Sequence, residues 1–290
     1  MIPPSFDYHA PQTLAEAIGL LGRYGEEAKL LAGGQSLLPL LKLRLSQVGH
    51  LVDIARIPDL EFIEESGARL RIGARTREVA LERSDLVRRK YPILADTGAV
   101  IADPLVRNLA TVGGNLAHAD PANDHPATML ALGADVVAEG PQGRRSISVR
   151  DFFKGLFATA LGPDEILTEI RIPIPPPRSG GAYVKLERKV GDFATAAVAA
   201  QLTLGADGAI ERIGIGLTNA GPTPIQATAA EAFLARKKPD ANALAEGARL
   251  AAQAASPSAD RRGDVEYKRE MARVLCLRAL ARAIERAGGR

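Results

Sequence analysis

The sequence predicts an α+β protein of two domains. Runs with the 3.6-residue helical period are interspersed with short apolar or alternating runs of strand length. The Pro-rich stretch PIPPPRSGG at 173–181 is the strongest punctuation in the chain and marks a domain boundary. Beyond it come long strand-like runs and then alanine-rich helical patterns, which suit a smaller second domain of sheet plus helices. The expected division is 1–176 and 177–290, with the first part split into subdomains of about 1–55 and 56–176.

The elements follow in order. Residues 13–24 read as a helix: Thr13 and Glu16 form a T-x-x-E capping box, and Leu14, Ala17, Ile18 and Leu21 share a face. AKLLAGG reads as a buried strand ending at Gly33-Gly34. SLLPLLKLRL reads as a short helix with Pro39 near its first turn. HLVDI and ARLRIGA read as strands. The stretch from Thr76 to Ile101 reads as a helix, a break at Tyr91-Pro92, and a second helix. A hairpin is expected around Pro141-Gln142-Gly143, and EILTEIRIPIP is a strand that ends in prolines. The second domain should hold two or three long strands, then helices at about 226–236, 241–255 and 264–287.

Composition removes several function classes. The balance of 37 basic and 34 acidic residues leaves net +3, which gives no electrostatic footprint for nucleic acid. The single cysteine, Cys276, excludes an internal disulfide and any four-thiolate cluster or zinc site within the chain; its apolar helical setting reads as a buried small hydrophobe. No stretch approaches the roughly 20 apolar residues of a membrane span, and no basic n-region opens the chain, so a cytoplasmic location is expected.

Two Gly-Gly turns stand out: AGGQS at 32–36 and TVGGN at 111–115. A glycine pair after a strand allows positive φ and close approach of a ligand to the backbone. Successive N–H groups in such a turn form an anion-holding nest, and a helix start adds partial positive charge. Ser36, Thr111 and Asn115 add side-chain donors, so two facing nests would suit a diphosphate. Neither turn fits the P-loop or G-x-G-x-x-G pattern, and GIGLTNAG at 214–221 reads as a strand end followed by a turn.

These motifs carry a resemblance. KLLAGGQSLLPLLKLRL, LVDI, IADPLVRNLATVGGNLAHADPANDHPATMLALGADVV and EILTEIRIPIP resemble the flavin-binding (medium) subunits of the molybdenum hydroxylases, the carbon monoxide dehydrogenase and xanthine dehydrogenase family. The resemblance covers nearly the whole chain. It implies non-covalent FAD with its diphosphate between the two loops, at Ala32, Gly33, Gly34, Gln35 and Ser36 on one side and Thr111, Gly113, Gly114 and Asn115 on the other. It implies Asp124 near the adenosine part, Ile101 and Leu167 as apolar contacts, and Lys185 and Phe193 beside the flavin from the second domain. It also implies an electron-transfer role with no catalytic residue of the chain's own. Electrons would come from a small subunit with two [2Fe–2S] clusters, fed by a large molybdenum-cofactor subunit, in a dimer of heterotrimers. The acceptor and the oxidised substrate stay open.

The chain departs from the family pattern at Leu109-Ala110, where Arg-Gly is frequent, and at Phe193, where relatives of carbon monoxide dehydrogenase often carry Tyr. Phe193 can stack on or screen a ring but cannot donate a hydrogen bond. The HADPANDH segment holds His118 and His125 with Asp120 and Asp124, but the histidine spacing does not suit a metal site on a regular helix, and none is expected. Ser36 lacks a G-x-S-x-G setting. Two rival functions remain: a self-sufficient FAD-dependent dehydrogenase or oxidase, and a nucleotide-binding regulatory protein without redox chemistry.

Overall fold

The structure, a computed structural model, describes residues 2–288. Helix and sheet are mixed throughout, in three main sheets of three, five and four strands and a two-stranded ribbon.

The first sheet is parallel. His50–Asp53 lies in its centre, flanked by Asp7–His9 and Ala28–Leu31. Parallel neighbours need crossovers, which the helices Leu14–Tyr24 and Leu37–Lys42 supply. The capping box forms as expected: Glu16 N donates to Thr13 Oγ1 at 3.2 Å, and Thr13 N donates to Glu16 Oε2 at 3.3 Å. Ala17 and Leu21 on the helix are buried against Ala28, Val52 and Ile54. The strand Ala28–Leu31 stops short of Gly33, so the glycine pair belongs wholly to the loop. Asp7–His9 and Ile63–Ser66 are strands that periodicity alone did not single out.

The second sheet is antiparallel, ordered Ile63–Ser66, Arg69–Gly73, Ile166–Pro173, Asp135–Gly140, Gly143–Ser148. Its last two strands are the expected hairpin, turning at Pro141-Gln142. Between Arg69–Gly73 and that hairpin runs a string of short helices. The segment read as one helix up to Tyr91 is two, Glu78–Arg83 and Asp85–Lys90. Ser84 causes the extra break: its hydroxyl accepts from Val87 N at 3.3 Å and caps the second helix, the local competition that keeps serine out of helix interiors. Pro92–Ala99 then starts with proline in its first turn.

The third sheet is antiparallel, ordered Ser179–Leu186, Ala196–Leu204, Ile210–Thr218, Ile225–Gln226. Both of its faces are covered. In Ala196–Leu204 the even positions Val198, Ala200 and Leu202 pack with Leu275, Cys276 and Leu280 of the helix Val265–Arg286. The odd positions Ala197 and Ala199 join the core of the five-stranded region. This explains a continuous apolar run in place of alternation. The glycines of GIGLTNAG have a packing duty here. A Cβ on Gly214 or Gly216 would overlap the carbonyl oxygens of Ala131 and Ala127, so the helix Asp124–Leu132 lies directly on the sheet. Cys276 is fully buried, and burial pushes its thiol up to about 12. Among the described residues no helix is long and apolar enough to cross a membrane.

Candidate cofactor site

The two glycine loops meet. A Cβ on Gly33 would overlap the carbonyl oxygen of Leu109 and sit 2.9 Å from Ala110 Cα. The first loop therefore rests on the main chain that leads into the second, and only glycine allows that distance. Because this contact and the hydrogen bond from Glu78 N to Ala110 O (2.9 Å) use backbone atoms, Leu109-Ala110 preserves the loop's seat despite its unusual side chains.

Within the first loop Gly34 has φ +72°, the left-handed region where an L side chain is strained. The N–H groups of Gly33, Gly34, Gln35 and Ser36 donate to no protein acceptor among the described residues. Leu38 N already closes back on Gly34 O at 3.0 Å, and Gln35 Nε2 donates to Gly33 O at 3.2 Å, so the loop is shaped while its N–H groups stay available. Ala32 and Ser36, at its two ends, are half-buried, and Ser36 leads into the helix Leu37–Lys42.

The second loop is built differently. Thr111 is the N-cap of the helix Val112–His118, and its hydroxyl accepts from Gly114 N at 3.1 Å. Val112 N donates to Thr76 O, Gly113 N to Ala74 O at 2.9 Å, and Asn115 N to Thr111 O. All four N–H groups are thus used inside the protein. Neither Gly113 nor Gly114 has positive φ, which corrects the expectation for this pair. Gly113 is glycine because a Cβ would lie 2.5 Å from Ala74 Cβ, and Gly114 because one would lie 2.7 Å from the capping Thr111 Oγ1. The polar group this loop leaves unbonded is the Asn115 side-chain oxygen, Oδ1, which is buried without a protein partner.

Asp124 and Lys185 come together across the two regions. Lys185 Nζ donates to Asp124 Oδ2 at 3.0 Å and to Val100 O at 2.9 Å, and Tyr183 OH donates to Asp124 Oδ1 at 2.6 Å. Burial pushes the Asp124 carboxyl up, and Lys185 and Tyr183 pull it back. Tyr183 was missed by sequence reasoning, although its place two residues before Lys185 puts both on one face of the strand. The same lysine reaches the carbonyl next to Ile101, which is buried, as is Leu167 in the neighbouring core. Phe193 is 48% exposed, at the end of a loop whose Gly191 lies against Ala102. Asp192 tethers this loop. Hydrogen bonds from Arg262 (2.8 Å), then Arg188 and Phe193 N, outweigh burial and hold its carboxyl at about 2. Burial pushes the His118 imidazole down, and its ring lies tilted at 34° to Phe157 with centroids 5.0 Å apart. Among the described residues no three histidine, cysteine or acidic side chains group as metal ligands.

A dinucleotide fits this set: four unbonded N–H groups suit an anionic diphosphate, and the unpartnered Asn115 amide oxygen suits a ligand hydroxyl or ring N–H. Residues 4–175 match the family described as FAD binding domain in molybdopterin dehydrogenase, and residues 181–283 match CO dehydrogenase flavoprotein C-terminal domain. The carbon monoxide dehydrogenase medium chain of Afipia carboxidovorans is 47% identical over 287 residues, covering 99% of each chain. The xanthine dehydrogenase FAD-binding subunit of Escherichia coli O157:H7 is 30% identical over 288 residues, 98% of this chain and 97% of that one. Among solved structures, a carbon monoxide dehydrogenase from Hydrogenophaga pseudoflava lacking the Mo-pyranopterin moiety of its cofactor superposes with TM-score 0.96 at 47% identity, covering 99% of both chains.

Proposed function

The chain belongs to the FAD-binding medium subunits of the molybdenum hydroxylases, and on that premise we propose that it is the electron-transfer station of a three-subunit oxidoreductase. The observation that carries the reading is the run of four unpartnered N–H groups at Gly33–Ser36, seated against the second loop through Gly33 and Leu109.

In this proposal the first loop holds the diphosphate, each N–H bond to a charged oxygen contributing roughly 1.5–3 kcal/mol. Thr111, Gly113, Gly114 and Asn115 wall the opposite side, with Asn115 facing the ligand. The expectation that Asp124 lies at the adenosine end and Lys185 at the flavin is corrected by their 3.0 Å bond, which puts both at one end. The Asp124–Lys185 pair, with Ile101, Leu167 and Phe193, borders the flavin. The FAD, held non-covalently, supplies one- and two-electron carrier chemistry. The chain's own part is to bind it, exclude water with buried apolar neighbours and present one edge to partners. Domains of 1–176 and 177–290 suit this, each range carrying its own sheets.

The lone, buried Cys276 fits a division of labour, because a [2Fe–2S] cluster needs several thiolates from elsewhere. We place this chain between an iron–sulfur small subunit and an external acceptor, with a molybdenum large subunit upstream, in a dimer of heterotrimers. Relatives named for carbon monoxide and for xanthine are similar to it along nearly the whole chain, which fits a subunit that does not select the substrate.

The test is direct. The chain, purified with its partners, should release one FAD on denaturation, and none should stay attached after acid precipitation. Failure to retain flavin in excess FAD would sink the reading. Anaerobic substrate should bleach the flavin only in the full complex; rapid bleaching of the isolated chain would make it a self-sufficient dehydrogenase.

A further inference from the structure

Glu78 and His125 form a fully buried pair: neither side chain has exposed surface. His125 Nε2 lies 2.8 Å from Glu78 Oε2, and with the carboxylate as acceptor the imidazole N–H donates. The other two polar atoms, Glu78 Oε1 and His125 Nδ1, are buried with no protein partner. Each such atom gives up its hydrogen bonds to water without replacement, and a well-packed apolar pair of similar volume is often as stable or more so. Core stability alone does not account for these residues.

Their position does. Glu78 N holds Ala110 O at 2.9 Å, and the neighbouring Arg77 bridges to Thr111. Ala110 and Leu109 carry the seat of Gly33 in the first loop. On the other side His125 follows Asp124, the residue that grips Tyr183 and Lys185 of the C-terminal sheet. Glu78–His125 thus joins the backbone contacts of the first loop and the second loop's lead-in to the helix whose Asp124 bonds Tyr183 and Lys185 of the third sheet. Packed apolar groups can slide past one another; a buried hydrogen bond has one geometry.

We propose that Glu78 and His125 are a positioning pair that fixes the register of the glycine loops against the C-terminal sheet, and that FAD affinity depends on it. This rests on the FAD reading above.

The experiment titrates FAD into the apo form of the chain in its complex, following flavin fluorescence, with thermal unfolding measured in parallel. Glu78→Gln keeps the shape and an acceptor for His125 and should bind within about threefold of the unaltered chain. Glu78→Leu should bind about tenfold or more weakly, as loss of a coupled buried bond implies. The double variant Glu78→Leu/His125→Leu removes both polar groups; it should recover the thermal midpoint yet keep the weak FAD binding. This separates positioning from stability, and it carries the test if Glu78→Leu alone does not fold. Native-like affinity in Glu78→Leu or the double variant overturns the proposal, as does equal weakness in Glu78→Gln and Glu78→Leu. An unaltered chain that binds no FAD would overturn the reading on which it rests, a separate result.

Discussion

The two Gly-Gly loops look alike as sequence and differ as structure. In the first, Gly34 supplies a positive φ and four N–H groups have no protein acceptor among the described residues. In the second, glycine supplies room: Ala74 lies against one residue and the Thr111 hydroxyl against the other, and every N–H is already bonded. The same dipeptide leaves a run of unbonded N–H groups in one place and makes a close-packed wall in the other. The difference teaches that a glycine pair reports only that a side chain is unwelcome; what excludes it decides whether a ligand or the protein itself comes close.

Substitutions should separate the two duties. The largest effect is expected at Gly33, where the loops touch. Gly33→Ala places a Cβ on backbone atoms of Leu109 and Ala110, which cannot swing away. It should lose about 1–3 kcal/mol of stability and also abolish FAD retention, read by chemical denaturation and flavin absorbance. Normal flavin content would show that the loops need not meet.

Next come Gly113 and Gly34 as a contrasting pair. Gly113→Ala collides with Ala74 Cβ at 2.5 Å and Ala74 O at 2.6 Å, so stability should fall by roughly 1–3 kcal/mol. Adding Ala74→Gly should restore part of it, since only the Cβ clash is removed. Gly34→Ala forces an alanine to φ +72° at about 1–2 kcal/mol, and its larger consequence should be weaker FAD binding. If Gly113→Ala spares stability and Gly34→Ala spares affinity, the assignment of duties is reversed.

A smaller effect is expected at the cap. Thr111→Val removes the acceptor of Gly114 N and should cost about 1 kcal/mol, with FAD binding reduced less than in Gly34→Ala. The smallest concerns support from below. Ala74 N is held by Thr168 O, next to Glu169. Burial would raise the Glu169 carboxyl, but Arg71 and Arg171 outweigh it and hold it at about 2, below its ordinary 4.5. A lowered carboxyl stabilises the fold above about 4.5, and that contribution fades as pH falls toward 2. Glu169→Gln should flatten the pH dependence of unfolding in that window; an unchanged slope would deny Glu169 the role.

Much of this was readable from local pattern. The Thr13–Glu16 box, the Pro141-Gln142 turn and the strand ending at Pro173 depend on neighbours within a few residues, and each stands where expected. The two glycine motifs were legible as a pair, and the structure brings them together. What stayed hidden depends on distant partners. Ala74 carries no motif, yet it decides why Gly113 is glycine. His125 read as a poor metal ligand, and its true partner, Glu78, sits in a helix with no signal of its own. Asp124 and Lys185 were each placed by family resemblance, but their bond to one another needed the sheet to be laid on the helix through Gly214 and Gly216. The break at Ser84 was a local signal overlooked, because serine also occurs inside helices.

Amide hydrogen exchange with and without FAD tests the contrast between the loops most directly. Without FAD, Gly33, Gly34, Gln35 and Ser36 should exchange fast while Val112, Gly113 and Asn115 are protected by their internal bonds. Saturating FAD should slow the first set strongly and change the second little. Protection arising at Gly113 and Gly114 while the Gly33–Ser36 amides stay fast would contradict the account and move the diphosphate to the other loop.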